Sequence, residues 1–92
     1  MKTVRLKIPW PEGLHLRPAS RVVGAAKRFR STVRIRLGAS VADARSVLSM
    51  MALCASLNAV VIVEVEGVDE AEALQAVAAC FAGPAGTDLT ER

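Results

Sequence analysis

The 92-residue sequence is poor in aromatic residues and contains only two cysteines and one histidine. Aromatic residues make up 3% of the chain and hydrophobic residues of all kinds 52%, so the core must consist mainly of Val, Ile, Leu and Ala. A hydrophobic fraction this high excludes an intrinsically disordered chain. Cys54 and Cys80 are too few for a disulfide framework or a four-ligand zinc site.

The chain also lacks a clear targeting or membrane segment. Its start does not resemble a signal peptide, because three of the first eight residues are basic, and a cytoplasmic location is therefore expected. Residues 46–63 form an uncharged stretch of 18 residues, near the lower limit for a membrane span. Three serines interrupt this stretch and its periodicity changes at Asn58, so it predicts two short buried elements and no membrane insertion.

Positive and negative charges are divided along the chain, although the net charge is only +3. The first 45 residues contain 11 of the 12 Lys and Arg residues, whereas the remainder contains most of the Asp and Glu. This division indicates either a basic face beside a solvated acidic helix, or a surface that attracts acidic partners such as nucleic acid, phosphate or an acidic protein. Composition leaves both interpretations open.

Hydrophobic periodicity predicts the element order β-α-β-β-α-β-α. Strands are predicted at residues 3–8, 32–37, 40–42 and 59–65, and helices at residues 16–29, just after Ser46, and from Asp69 to about residue 81. Asn58 is expected to end the short second helix in a left-handed conformation, and Asp69 to cap the third with Glu72 in a capping box. Strands that alternate polar and apolar residues leave one face of the sheet exposed to solvent, so the helices are expected together on the opposite face.

The predicted fold is therefore an α+β, two-layer open-faced sandwich. It has a four-stranded, mostly antiparallel sheet with three helices on one face. Residues 1–92 are expected to form one domain, with residues 84–92 as a flexible tail.

The single histidine, His15, follows a loop rich in proline and glycine and directly precedes the first predicted helix. A helix N-terminus presents free N–H groups that bind anions, and Arg17 can add a bidentate contact to phosphate. A neutral imidazole at this place can act as a nucleophile whose phosphorylated form is held by these groups. The alternative is a surface histidine that serves as a helix cap.

Residues 12–20 read EGLHLRPAS and resemble the phosphorylation-site signature of the HPr family, the histidine phosphocarriers of the sugar phosphotransferase system. The family pattern is G-[LI]-H-x-R-P-A, and this sequence fills every fixed position. Residues 44–48 are similar to the regulatory-serine segment of the family, and residues 66–70 to the turn before its last helix. The resemblance covers about residues 2–83.

This resemblance implies a phosphoryl carrier and not a turnover enzyme. Enzyme I, charged by phosphoenolpyruvate, would phosphorylate His15 at Nδ1, and the acceptor domain of a sugar permease would take the phosphoryl group onward. Arg17 would stabilise the phosphate and the transition state, while backbone N–H groups of Leu16, Arg17 and Ala19 complete the phosphate site. No metal or other cofactor is implied, and a monomer is expected.

The resemblance also implies a regulatory serine and a partner-docking patch. Ser46 is either a simple helix N-cap or, in addition, the substrate of a regulatory serine kinase. The docking patch would consist of Leu16, Val47, Leu48 and Met51, with one or two of the last three exposed.

Three residues in and next to the loop before the first helix depart from what is usual in the family, and Cys54 and Asn58 stand where glycines are common. Glu12 stands where asparagine is common, and its carboxylate could repel a phosphate on His15. Leu16 replaces the usual Ala or Thr, and Trp10 lies in the same loop. Both could belong to the core or contact partners.

Three other functions remain open from the sequence. A regulatory phosphocarrier of a non-sugar, nitrogen-type branch would use the same site. A purely regulatory relative without phosphotransfer is disfavoured by the intact His15 and Arg17. A nucleic-acid-binding domain could use the basic residues of the wet sheet face, but that face has no aromatic platform.

Overall fold

The computed structural model of the chain describes residues 1–82 and contains four strands and three helices. The strands are β1 (Lys2–Lys7), β2 (Thr32–Leu37), β3 (Ser40–Asp43) and β4 (Val60–Glu66), and the helices are α1 (Leu16–Ala26), α2 (Val47–Ala52) and α3 (Glu70–Ala79). The predicted α+β class and element order are confirmed. The predicted tail, residues 84–92, lies outside the described residues.

The four strands form one sheet with the order β1-β4-β2-β3, in which every neighbouring pair is antiparallel. Residues that alternate along each strand point to opposite faces. The register aligns Val4 of β1 and Ile35 of β2 with Val63 of β4, and all three are buried. The period-2 pattern of the sequence therefore identifies the face that the helices cover.

The core between sheet and helices is mostly aliphatic, as the composition predicts. It also contains one aromatic pair, Trp10 and Phe81, whose ring centroids lie 5.2 Å apart at an interplanar angle of 45°. Trp10 is only 8% exposed, so it is a core residue and not a partner contact. Aromatic pairs in such tilted arrangements stabilise cores beyond the area they bury.

The second helix has one buried methionine and ends earlier than predicted. Met50 is fully buried, whereas Met51 is exposed. The helix ends at Ala52, and the first left-handed residue after it is Cys54, with φ of 53°. Asn58 is also left-handed, with φ of 71°, but it lies in the turn before β4. The predicted conformation of Asn58 is right, and its assignment as the helix stop is wrong.

The first and third helices also differ from prediction at their ends. The first ends at Ala26, three residues before the predicted Phe29. Asp69 occupies the N-cap position of α3, but its side chain makes no capping hydrogen bond. The carboxylate instead accepts hydrogen bonds from the backbone N–H groups of Arg30 and Ser31 and from the Ser31 hydroxyl. Asp69 therefore ties the start of α3 to the start of β2.

The uncharged stretch of residues 46–63 contains α2, a turn and most of β4, as two short elements. Within residues 1–82, no helix has the length and apolarity needed to cross a bilayer.

On the outer face of the sheet, acidic residues of β4 pair with basic residues of β2. The Glu64 carboxylate lies 3.0 Å from Nε of Arg36 and 3.3 Å from Nε of Arg34. Hydrogen bonds from Arg36 and then from Arg34 lower the pKa of Glu64. These ion pairs neutralise part of the positive charge on this face, which a nucleic-acid-binding function would require. The aromatic rings of Trp10 and Phe81 are buried and provide no stacking surface there.

Candidate functional site

The loop before α1 is held in place by the segment that follows α2. The Leu14 N–H donates to the Ala55 carbonyl at 2.9 Å, and the Gly13 N–H donates to the Trp10 carbonyl at 2.8 Å. Gly13 has φ of +77°, and a Cβ at this position would overlap the carbonyl oxygen of Ala55. Glycine is therefore required both by the left-handed backbone and by the close approach of the two segments.

This loop places His15 at the N-cap position of α1. Its backbone is extended, with φ of −94° and ψ of −168°, and its N–H donates to the Gly13 carbonyl at 2.9 Å. The imidazole makes no capping hydrogen bond and its side chain is 39% exposed. The ring is therefore accessible to a partner, and the interpretation of His15 as a side-chain helix cap is wrong.

The first N–H groups of α1 lie directly after His15. Those of Leu16 and Arg17 have no backbone acceptor among residues 1–82, and Pro18 has no N–H. The N–H of Ala19 donates to the His15 carbonyl at 2.9 Å, as the first hydrogen bond of the helix. The expected use of the Ala19 N–H for phosphate binding is therefore corrected, because that group is already paired. Two free N–H donors remain.

Five residues line a shallow surface depression, called the histidine depression below: Glu12, His15, Leu16, Arg17 and Ser20. The structure thus brings the predicted acceptor and the predicted phosphate-binding arginine together. The Glu12 carboxylate lies 3.9 Å from Nε2 of His15 and is 80% exposed. Ser20 was not predicted as a site residue. Its position one turn after Arg17, on the exposed side of the helix, is the signal that could have identified it.

The predicted docking residues are unequally exposed. Leu16 is 60% exposed and Leu48 is 81% exposed, while Met51 is also on the surface. Val47 is half-buried and packs against the core. Helices α1 and α2 contact each other, so three exposed apolar residues lie on neighbouring helices. Exposed large apolar side chains beside a reactive group are typical of partner contacts.

Ser46 occupies the N-cap position of α2. Its hydroxyl oxygen accepts a hydrogen bond from the Ser49 N–H at 3.1 Å, which confirms the predicted cap. Ser46 is half-buried. Its possible phosphorylation stays a prediction.

Comparisons with known proteins agree with these features. The family described as "PTS HPr component phosphorylation site" matches residues 2–83. The HPr phosphocarrier protein of Lysinibacillus sphaericus is 36% identical over 78 residues, which are 85% of this chain and 89% of the relative. That of Mycoplasma pneumoniae is 34% identical over 80 residues, covering 86% and 91%.

A solved structure gives the same result for the fold. The crystal structure of HPr-C-His from Thermoanaerobacter tengcongensis superposes with a TM-score of 0.84 at 34% identity, covering 88% of this chain and 91% of the other. Both the sequence match and the structural match extend over nearly all the described residues. The chain belongs to the HPr family, the phosphocarrier proteins of the phosphotransferase system.

Proposed function

We propose that this chain accepts a phosphoryl group on His15 from enzyme I and passes it to the acceptor domain of a sugar permease. The observation that carries the proposal is the surroundings of the ring. The imidazole is accessible, the two N–H groups that follow it have no acceptor within residues 1–82, and Arg17 lines the same depression. These are the groups that a phosphohistidine needs for its formation and its retention.

In the proposed step, a ring nitrogen of neutral His15 attacks the phosphorus carried by enzyme I. A nitrogen–phosphorus bond forms on His15 as the corresponding bond to a donor histidine of enzyme I breaks. The phosphorylated His15 loses the proton of its second ring nitrogen and the departing imidazolate of the donor gains one, so both rings end neutral. Nε2 lies near the Glu12 carboxylate, which would repel a phosphate placed there. This geometry supports Nδ1 as the reacting nitrogen.

Stabilisation of the transferred group is assigned to Arg17 and the start of α1. Negative charge spreads over the three equatorial oxygens during phosphoryl transfer. The N–H groups of Leu16 and Arg17 can each donate to one of these oxygens, and the helix N-terminus contributes partial positive charge. Arg17 lines the histidine depression, and its guanidinium adds charge-assisted hydrogen bonds.

Partners are proposed to bind over the exposed apolar residues of the two neighbouring helices. Leu16, Leu48 and Met51 provide the apolar contacts, and Arg17 adds positive charge that favours an acidic partner surface. The cytoplasmic location and the monomeric state remain predictions.

Phosphoryl acceptance and donation can be tested in one experiment. The chain is incubated with phosphoenolpyruvate and purified enzyme I, and intact mass is followed in time. A permease acceptor domain or a nitrogen-branch acceptor is then added. We expect rapid addition of one phosphoryl group and its loss to the permease domain. Preferred transfer to the nitrogen-branch acceptor would contradict the sugar assignment.

A matched pair of arginine variants tests the role of Arg17 in the same assay. Arg17→Ala should slow phosphorylation by roughly 10–1000-fold, the scale of removing one preorganised donor from a transition state. Arg5→Ala removes an exposed arginine from β1, outside the histidine depression, and should retain the wild-type rate. Equal rates for both variants would show that Arg17 has no part in the transfer.

A further inference from the structure

A second surface depression lies at the junction of β2, β3 and α2, and shares no residue with the histidine depression. We call it the arginine depression, because three arginines line it: Arg30, Arg34 and Arg45. Its volume is about 550 Å³, within the range of about 300–1,000 Å³ that is usual for small-molecule sites. We propose that it binds a small phosphate monoester that also carries hydroxyl groups.

The charges in the arginine depression favour an anion. Its lining contains three guanidinium groups and one carboxylate, that of Asp43. Arg34 is partly neutralised, since it pairs with Glu64 at 3.3 Å and with Glu66 at 3.8 Å. Arg30 and Arg45 form no ion pair with any carboxylate of residues 1–82. Two of the three positive charges are therefore uncompensated, and planar guanidinium groups match phosphate geometry bidentately.

The backbone on both sides of the depression is fixed by hydrogen bonds. The Arg30 N–H donates to Oδ2 of Asp69 at 2.9 Å, and the Arg45 N–H donates to Oδ1 of Asp43 at 2.9 Å. The Arg45 guanidinium also donates through Nη2 to the carbonyl of Phe29, which holds it beside the depression. Its other N–H groups have no acceptor in the described part of the chain and can bind a ligand. Such preorganisation reduces the ordering cost of binding.

The polar groups between the arginines suit a ligand with hydroxyls. The Ser49 hydroxyl accepts from the Asp43 N–H at 2.9 Å, so its own proton is directed elsewhere and can be donated. Thr32 adds a second exposed hydroxyl. The Asp43 carboxylate is an acceptor, which would repel a bare phosphate but can receive hydrogen bonds from ligand hydroxyls. The volume also exceeds what inorganic phosphate alone would fill.

The proposal can be tested by titrating the full chain with ribose 5-phosphate in amide-resolved NMR at constant ionic strength. We expect saturable shifts centred on Thr32, Asp43, Arg45 and Ser49, and none with ribose at the same concentrations. Shifts centred instead on the histidine depression would overturn the proposal. So would shifts that sodium chloride of equal ionic strength reproduces, or tighter binding of a polyglutamate peptide, which would assign the surface to an acidic protein.

Single variants show whether the arginines form the site. Arg30→Gln and Arg45→Gln should each weaken binding about tenfold, the scale of one charge-assisted hydrogen bond. Arg5→Gln, on the far edge strand, is the matched control and should bind as wild type. Arg30 is exposed, so Arg30→Gln should fold and can test the binding site even if Arg45→Gln unfolds. Unchanged affinity in Arg30→Gln would overturn the proposal.

A further variant separates this site from the proposed phosphocarrier function. Arg17→Gln should retain ribose 5-phosphate binding, whereas Arg30→Gln should accept phosphoryl groups from enzyme I at the wild-type rate. If Arg17→Gln abolishes ribose 5-phosphate binding, the ligand occupies the histidine depression and the second site does not exist. Failure of phosphorylation at His15 would contradict the proposed function and leave the binding result intact.

Discussion

At the residue scale, the surroundings of His15 contain hydrogen-bond donors that favour a phosphate and one carboxylate that repels it. The free N–H groups of Leu16 and Arg17 attract a phosphate to the start of α1. The Glu12 carboxylate, 3.9 Å from Nε2, acts against a doubly negative phosphohistidine. Because Glu12 is largely exposed, solvent screens this repulsion and limits it to the scale of a surface charge pair, about 0–1 kcal/mol.

Glu12→Gln should therefore prolong the lifetime of the phosphorylated protein. The substitution removes the repulsive charge while keeping the size of the side chain, and we expect hydrolysis to slow by at most about fivefold. The measurement is the decay of the phosphohistidine signal in phosphorus NMR at fixed pH. Glu72→Gln, on the exposed part of α3, serves as the control and should decay as wild type. Faster hydrolysis in Glu12→Gln would show that Glu12 supports the loop structurally.

The sequence predicted the site more completely for side chains than for backbone groups. His15 and Arg17 were identified because their residue types and spacing carry the chemistry. The helix start at Leu16 is as predicted, and the hydrogen bond from the Ala19 N–H to the His15 carbonyl follows from it, because only the N–H groups before the fourth helical residue lack a partner within the helix. The use of the Ala19 N–H for phosphate binding could therefore have been excluded from the sequence. The Glu12–His15 distance depends on loop geometry that no pattern encodes.

At the scale of elements, the loop before α1 and the segment after α2 form one structural unit. The Leu14–Ala55 hydrogen bond joins them, and Gly13 permits their close approach. The orientation of His15 therefore depends on a residue some forty positions away in the sequence. This dependence makes the loop sensitive to substitutions that add volume at Gly13.

Gly13→Ala should destabilise the fold, and Gly24→Ala should not. At Gly13 the added Cβ meets the Ala55 carbonyl and the positive φ becomes strained, so we expect a loss of roughly 2–4 kcal/mol in the free energy of unfolding. Gly24 lies in α1 with open space around it, and its replacement should add about 0.5–1 kcal/mol. Urea denaturation measures both. Equal stability of the two variants would contradict the described packing.

Ser46 can be tested with two substitutions that separate its cap from its charge. Ser46→Ala removes the hydrogen bond to the Ser49 N–H and should lower the free energy of unfolding by about 1 kcal/mol. Ser46→Asp retains an N-cap acceptor and should keep most of that stability.

If Ser46 is regulatory, the Asp variant should also bind enzyme I up to about fivefold more weakly than wild type, because a negative charge is added beside Leu48. Affinity is measured by calorimetry with Ser46→Ala as the uncharged control. Equal affinities for all three proteins would leave Ser46 as a cap alone.

Elements with long periodic patterns were predicted well, and short ones less so. Strands β1 and β2 alternate polar and apolar residues, and α1 repeats its apolar residues every three or four positions, so the buried faces of these elements follow from the sequence. Helix α2 has only six residues, too few for spacing to distinguish Met50 from Met51 as the buried methionine. Asp69 fits a capping box in sequence, but Ser31 and the backbone N–H of Arg30 compete successfully for its carboxylate. That competition involves residues almost forty positions apart.

At the scale of the whole molecule, carboxylates of the C-terminal half tie the two halves together. Asp69 binds the start of β2, and Glu64 binds Arg34 and Arg36 of the same strand. The division of charge along the sequence is therefore partly a pattern of pairs in space. The excess positive charge that remains includes Arg17 at the histidine depression and Arg30 and Arg45 at the arginine depression.

These contacts predict that stability falls in acid. Hydrogen bonds from the Ser31 hydroxyl and then from the backbone N–H of Arg30 lower the pKa of Asp69, and those from Arg36 lower the pKa of Glu64. The stability that these two carboxylates contribute is fully present above their unfolded-state pKa values. It is lost as the pH falls through their lower, folded-state pKa values.

The free energy of unfolding should therefore decline below about pH 4. Asp69→Asn should be less stable than wild type at neutral pH and should show a smaller decline, because one of the titrating contacts is absent. Urea denaturation across this pH range measures both quantities. An identical pH profile in the variant would contradict the role given to the Asp69 carboxylate.

The most direct test of the phosphocarrier account is the location of the phosphoryl group. Wild type and His15→Ala are incubated with phosphoenolpyruvate and enzyme I, and the products are analysed by mass spectrometry at neutral pH and after acid treatment. The imidazole is exposed and makes no capping hydrogen bond, so the variant should fold normally. Circular dichroism checks this. We predict one acid-labile phosphoryl group on His15 of the wild type and none on the variant. Retained labelling of folded His15→Ala would contradict the account.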